Sequence, residues 1–239
     1  MQLNDIEYFK KFIKQYINSF DGSSKENPLH VEKKFDLSPR DYLAFAEEEL
    51  NKNTSVSLIN CVAHLKRALD CQLDSFFHVF NLFNLFKKRN LKIEKKLQFI
   101  GAIGYLNSRS RIRLNSIRNK MEHHYAIPEI EDIEVYFDLI TALVQLLELG
   151  SFESSGCDFF LENSDIGYHN FKICYSIDNP EINILLSGYD ESLENINVSI
   201  KADSDIDSFA YYFKALRLLN IFWDRQGGHE YILKELGIT

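Results

Sequence analysis

Three side chains that could act together on a phosphate group lie close together near the middle of the chain. They are Arg118, Asn119 and His123. A histidine can exchange protons near neutral pH, and an arginine keeps its charge and offers forked donors to phosphate oxygens. Together these groups suit the cleavage of a phosphodiester without a metal ion, with the histidine as general base and the arginine as an electrostatic clamp.

A helix predicted over residues 109–124 would direct these side chains away from the core. Its apolar residues recur at helical spacing and form one stripe: Leu114, Ile117, Met121 and Tyr125. Asn119 and His123 are four residues apart, so they are neighbours on another side of the helix. We therefore expect His123 to face solvent, a cleft or a partner subunit. The alternative to a catalytic role is that Arg118 and His123 are only a pair of surface residues, or that they belong to a site that has lost its activity.

The segment Arg118-Asn119-xxx-His123 follows a long helix that includes residues 61–70 (CVAHLKRALD), and together they resemble the HEPN superfamily (higher eukaryotes and prokaryotes nucleotide-binding). The resemblance covers about residues 38–150. It implies an up-and-down helical bundle that forms a homodimer, and in many members a metal-independent ribonuclease of toxin–antitoxin, antiphage or RNA-processing systems. The catalytic residues that it implies are Arg118, Asn119 and His123.

The expected activity is an endoribonuclease in which the ribose 2′-hydroxyl attacks phosphorus and leaves a 2′,3′-cyclic phosphate. The resemblance also implies a role as a toxin or antiphage defence effector, with an antitoxin or regulatory protein as a further partner. Some similar proteins keep the fold without the activity. A catalytically inactive module that dimerises and binds RNA, nucleotide or protein is therefore the alternative.

The charges of the chain are unevenly distributed. The formal net charge is −8, yet residues 87–120 contain eleven basic residues and one acidic residue, Glu94, a charge of +10. Residues 121–239 contain six basic and twenty-two acidic residues, a charge of −16. We expect the basic block to attract RNA. The RNA-binding candidates nearest the motif are Arg109, Arg111, Arg113 and Lys120.

The same charge pattern is compatible with two further arrangements. The basic block could be a solvated surface of two helices joined by a basic turn. The acidic C-terminal part could instead fold over the basic face and inhibit it.

Other candidate sites are weaker. His64 and Asp70 share the long helix but are six residues apart, so we expect His64 to make a polar contact on the helix surface. The four cysteines are scattered and form no Cys-x-x-Cys pair, so the sequence predicts no metal and no cofactor. No leader and no apolar run of membrane-spanning length is visible, so we expect a cytoplasmic protein without a membrane partner.

The periodicity predicts a mainly helical α+β protein in three parts. Residues 1–37 read as an N-terminal helix and loop, and residues 38–150 as the HEPN-like helical bundle, with one long helix over residues 55–86. Residues 151–239 read as a small acidic α/β region. Alternating apolar residues there predict an antiparallel sheet of about four strands near residues 158–162, 171–177, 182–186 and 196–200. C-terminal helices should cover one face of that sheet.

Overall fold

A computed structural model describes residues 2–29, 32, 34–88, 92–107, 109–110, 112–114, 116, 129–151, 153–162, 167–188 and 193–239. The helices of these residues are α1 (Ile6–Tyr16), α2 (Pro39–Lys52), α3 (Ser55–Val79), α4 (Phe83–Lys88), α5 (Ile93–Ala102), α6 (Ile130–Gly150), α7 (Ile206–Trp223) and α8 (His229–Glu235). The strands are β1 (Phe20–Lys25), β2 (Gly156–Leu161), β3 (Tyr168–Ser176), β4 (Glu181–Gly188) and β5 (Ile196–Lys201). The predicted α+β class is confirmed.

The chain divides into two compact units. The sheet unit consists of Met1–Leu29 and Glu153–Thr239, and the helical unit consists of His30–Phe152. The predicted N-terminal part, residues 1–37, is thus divided between the two units. None of the helices in the described part of the chain is long and apolar enough to cross a membrane.

In the helical unit, α2 and α3 are antiparallel neighbours because only two residues separate them. A capping box of Ser38 and Asp41 starts α2, and Asn53 ends it in the left-handed conformation (φ 48°). Thr54 then caps α3 by accepting a hydrogen bond from the Ser57 N–H. α3 packs against both α2 and α6, so its apolar side chains form the centre of this unit's core.

The single long helix predicted over residues 55–86 is wrong. α3 ends at Val79 and α4 begins at Phe83. Between them Asn81 has a left-handed backbone (φ 49°), and the Leu82 N–H donates to the Phe77 carbonyl at 2.7 Å. The aromatic side chains continue across the break, with Phe77 and Phe86 stacked 4.1 Å apart. Apolar periodicity alone does not report such a break.

The sheet is a simple antiparallel meander in the order β1-β2-β3-β4-β5. The four predicted strands are β2 to β5, and β1 is a fifth strand that the sequence did not predict. β1 pairs with β2, for example Phe20 with Leu161. The Phe20 ring stacks on Phe159 at 4.9 Å and on Phe171 at 5.2 Å, so burial of this aromatic side chain helps to hold the edge strand in place.

Helices α1 and α7 pack on the buried face of the sheet, which confirms the prediction that a C-terminal helix covers one face. Phe12 of α1 lies 5.3 Å from Phe171, and Phe213 of α7 lies 5.6 Å from Tyr175. The Tyr212 hydroxyl of α7 donates to the Leu3 carbonyl at 2.9 Å. The N-terminus and α7 are therefore joined in one core.

Candidate functional site

The predicted catalytic residues Arg118, Asn119 and His123 lie outside the described residues. The same is true of two predicted RNA-binding residues, Arg111 and Lys120. The structure therefore neither brings these five residues together nor separates them. It does describe residues that precede and follow this segment in the chain.

The start of the predicted motif helix is described in part. Arg109 and Arg113 have helical backbone and exposed side chains, whereas Leu114 is buried. Leu114 is the first residue of the apolar stripe predicted from the sequence. The two arginines thus point their charges towards solvent from the segment that leads into Arg118.

Six exposed cationic side chains, which we call the basic surface residues, come from α4, α5 and the segment after them. They are Lys87, Lys88, Lys92, Lys95, Arg109 and Arg113. Within the described part of the chain, no carboxylate forms an ion pair with any of them. Lys96 differs, because its Nζ lies 2.5 Å from a carboxylate oxygen of Asp74. The six charges are therefore available to an outside anion.

An aromatic cluster lies beside the basic surface residue Lys87 and includes His78, which the sequence did not indicate as a site residue. The His78 ring stacks on Phe83 with centroids 3.9 Å apart, and Phe35 meets His78 edge-on at 5.6 Å. Lys87 Nζ lies 6.0 Å from the centre of the Phe83 ring. Burial lowers the pKa of His78, partly opposed by Asp74, so this environment favours the neutral imidazole.

The helical unit also contains a cavity of about 570 Å³ that the sequence did not predict. It lies between the loop before α2 and the middle of α3. Its lining residues are Lys34, Phe35, Asp36, Leu37, Tyr42, Arg67, Asp70, Cys71 and Asp74. Aromatic rings and both signs of charge meet here, but three of the charged groups are carboxylates, which makes the cavity less suited to a polyanion than the basic surface residues.

The structure places the two polar residues of α3 that the sequence singled out, His64 and Asp70, in different surroundings. Asp70 lines this cavity, whereas the His64 ring packs edge-on against Phe45 of α2 at 5.6 Å. Its Nδ1 is buried and has no hydrogen-bond partner among the described residues. His64 therefore contributes mainly to the packing of α2 on α3, and not to the polar surface contact that we predicted.

The cysteines are poorly placed for nucleophilic chemistry. All four are free thiols. Burial raises the pKa of Cys61 to about 11 and that of Cys174 to about 11, and it also raises the pKa of Cys71 and Cys157. Because the thiolate is the nucleophile, protonated thiols react slowly at neutral pH. Among the described residues, no three histidine, cysteine or acidic side chains are grouped as ligands for one metal ion.

No protein-family model, curated protein or solved structure matches the chain. The assignment of a function consequently depends on the residues themselves, namely the Arg118-Asn119-xxx-His123 motif and the exposed charges that precede it.

Proposed function

We propose that the protein is a metal-independent endoribonuclease of the HEPN type that acts as a homodimer. Its main support is that the six basic surface residues are exposed and not ion-paired within the described part of the chain, and that they directly precede the motif. Such charges raise the local concentration of a polyanion even though the whole chain is acidic.

In the proposed reaction the ribose 2′-hydroxyl attacks the adjacent phosphorus. His123 accepts the proton of that hydroxyl as general base. Arg118 pairs with the non-bridging oxygens and stabilises the charge that develops on them. Asn119 orients the imidazole or donates to the phosphate. The bond to the 5′-oxygen of the next nucleotide breaks, which gives a 2′,3′-cyclic phosphate and a 5′-hydroxyl.

The leaving 5′-oxygen also needs a proton. One histidine cannot be deprotonated as the base and protonated as the acid at the same moment. A symmetric dimer removes this difficulty, since a second copy of His123 can act as the acid. The homodimer is thus part of the proposed mechanism, and it agrees with what the HEPN resemblance implies. A toxin or antiphage role in the cytoplasm, controlled by an antitoxin or regulatory protein, is the physiological setting that we propose.

The decisive experiment is cleavage of a defined RNA in the presence of EDTA. We expect the wild-type protein to cleave and to leave 2′,3′-cyclic phosphate ends. Arg118→Ala and His123→Ala should each lower the rate by at least about 100-fold. DNA of the same sequence should stay intact because it lacks the attacking hydroxyl. Lys201→Ala, which removes an exposed charge from β5, is the control and should cleave like the wild type.

Two results would overturn this proposal. One is cleavage that requires Mg²⁺, because the proposed chemistry uses only protein side chains. The other is cleavage that persists in both Arg118→Ala and His123→Ala, since a contaminating nuclease or another site would then be responsible.

The second candidate is a catalytically inactive module that binds RNA, nucleotide or protein. The observation that favours it is the same set of exposed charges, because they can hold phosphates whether or not the motif is active. Salt-dependent RNA binding without product, equal in the wild type and in His123→Ala, would support this candidate over the nuclease.

A further inference from the structure

A cavity of about 510 Å³ opens in the sheet unit, where β1 and β2 meet the end of α7 and the turn before α8. It lies outside residues 38–150, on which the HEPN resemblance depends. Its volume falls within the range of about 300–1,000 Å³ that is typical of small-molecule sites.

The walls of this cavity are aromatic. Phe20 and Phe159 are only 8% and 0% exposed and stack on each other with centroids 4.9 Å apart, so they offer almost no ring surface to a ligand. The accessible aromatic surface of the cavity is that of the half-buried Phe222 and Trp223. Trp223 forms the remaining wall against the backbone of Gly22, where an added Cβ would lie 2.5 Å from the indole Nε1. Flat aromatic surfaces of this kind stack well with planar rings.

Two locally unfavourable features occur beside this cavity. Arg225 has a left-handed backbone (φ 57°), a conformation that glycine or asparagine adopts more easily. The indole N–H of Trp223 is buried and has no hydrogen-bond acceptor among the described residues. Strained backbone and unsatisfied buried groups are concentrated at functional sites. The left-handed backbone of Arg225 belongs to the turn that ends α7, where the Gln226 N–H donates to the Ile221 carbonyl at 3.0 Å. The unsatisfied indole N–H is therefore the feature that distinguishes this turn from the other described helix ends.

Some of the charged side chains around the cavity form an ion pair with each other, and others do not. Lys25 and Asp224 form an ion pair of 2.7 Å. In contrast, Arg225 and Asp21 are exposed, and no residue in the described ranges forms an ion pair with either. One guanidinium, one carboxylate and the amide of Gln226 are thus available at an aromatic cavity.

We propose that this cavity binds a nucleoside monophosphate. The base stacks on the accessible ring surface of Phe222 and Trp223, and the forked guanidinium of Arg225 pairs with the phosphate. Asp21 and Gln226 bond to polar groups on the edge of the base. The sheet unit contains ten basic and nineteen acidic residues. This excess of negative charge opposes a long polyanion, so a ligand with a single phosphate is favoured over an RNA strand.

The intrinsic fluorescence of the protein offers a direct test, because Trp223 is the single tryptophan of the chain. The full-length protein would be titrated with AMP, GMP, CMP and UMP, with the four nucleosides, and with inorganic phosphate. We expect at least one monophosphate to quench Trp223 saturably and to bind at least about tenfold more tightly than its nucleoside. Inorganic phosphate alone should cause no quenching.

Arg225→Gly is the informative variant, because glycine suits the left-handed backbone while the guanidinium is lost. We expect it to weaken monophosphate binding at least about tenfold without lowering the melting temperature. Lys234→Ala, which removes an exposed charge from α8, is the control and should bind like the wild type.

The proposal is overturned if no monophosphate quenches saturably, if the nucleoside binds as tightly as its monophosphate, or if Arg225→Gly binds like the wild type. It is also overturned if an RNA oligomer quenches Trp223 at lower concentration than every monophosphate. RNA cleavage is not measured in these titrations, so their outcome is independent of the proposed nuclease activity.

Discussion

The imidazole of His78 is stacked face to face on the ring of Phe83, with centroids 3.9 Å apart and an interplanar angle of 17°. This contact joins the end of α3 to α4 and holds the histidine in a partly buried position. The Phe35 ring also packs against the imidazole in a T-shaped contact, with centroids 5.6 Å apart. The folded state consequently disfavours the charged form of this histidine.

We predict that His78 makes folding less stable in acid. Its pKa is lowered in the folded state from the ordinary value of 6.5. Below about pH 6.5 the unfolded chain therefore binds a proton that the folded chain does not, and the free energy of unfolding falls as the pH decreases towards the folded pKa. Urea unfolding of the wild type and of His78→Phe at several pH values from about 4 to about 8 measures this effect. The wild type should lose stability relative to the variant on acidification, and parallel curves would contradict the prediction.

We predict that Gly22→Ala destabilises the sheet unit by about 1–3 kcal/mol. The new Cβ would lie 2.5 Å from Nε1 of Trp223, so the indole must move. The measurement is thermal unfolding together with the emission spectrum of Trp223. Gly228→Ala is the matched control, because a Cβ there meets no atom within 4 Å. It should cost at most about 1 kcal/mol and leave the emission maximum unchanged.

We predict that the double variant Arg109→Ala/Arg113→Ala binds RNA more weakly without a change in sequence preference. Both side chains are exposed and carry no ion pair within the described part of the chain. Removing two phosphate contacts should lower the slope of log K against log salt by about 0.7 per contact on single-stranded RNA. Fluorescence anisotropy at several salt concentrations measures this slope. An unchanged slope would mean that neither arginine contacts a phosphate.

We predict that Thr54→Ala destabilises the helical unit by about 1 kcal/mol. The Thr54 hydroxyl accepts a hydrogen bond from the Ser57 N–H at 3.2 Å. In return, the Ser57 hydroxyl accepts one from the Thr54 N–H at 2.9 Å. The alanine removes half of this reciprocal pair. Thr54→Ser keeps the hydroxyl and should unfold at nearly the wild-type urea concentration. Equal losses in the two variants would show that the methyl group of the threonine, and not the cap, is responsible.

The strands and helices that the sequence predicted best are those with a regular apolar period. Ile173, Tyr175, Ile182 and Ile184 alternate along β3 and β4, and all four are buried. β1 was missed because its residues, Phe20-Asp21-Gly22-Ser23-Ser24-Lys25, have the composition of a turn. It becomes a strand only through its pairing with β2, more than a hundred residues later in the chain.

The sequence could predict a candidate site only where all of its residues belong to one continuous segment of the chain. The helical spacing of one segment is enough to predict that Arg109 and Arg113 are exposed and that Leu114 is buried. The cavity beside Trp223 could not be predicted, because it combines β1, β2 and the end of α7. The stack of His78 on Phe83 depends on the break at Asn81, which apolar spacing does not report.

The pairing of β1 with β2 makes the helical unit an insertion within the sheet unit. The chain leaves the sheet unit after Leu29 and returns at Glu153, and a β-bridge between Pro28 and Ser154 holds the two crossing points side by side. During synthesis, β1 must therefore wait for its partner until the entire insertion has left the ribosome. If residues 30–152 are replaced by a short linker between the two crossing points, the five-stranded sheet should remain complete. A chain that ends near residue 150 would instead contain β1 without its partner β2.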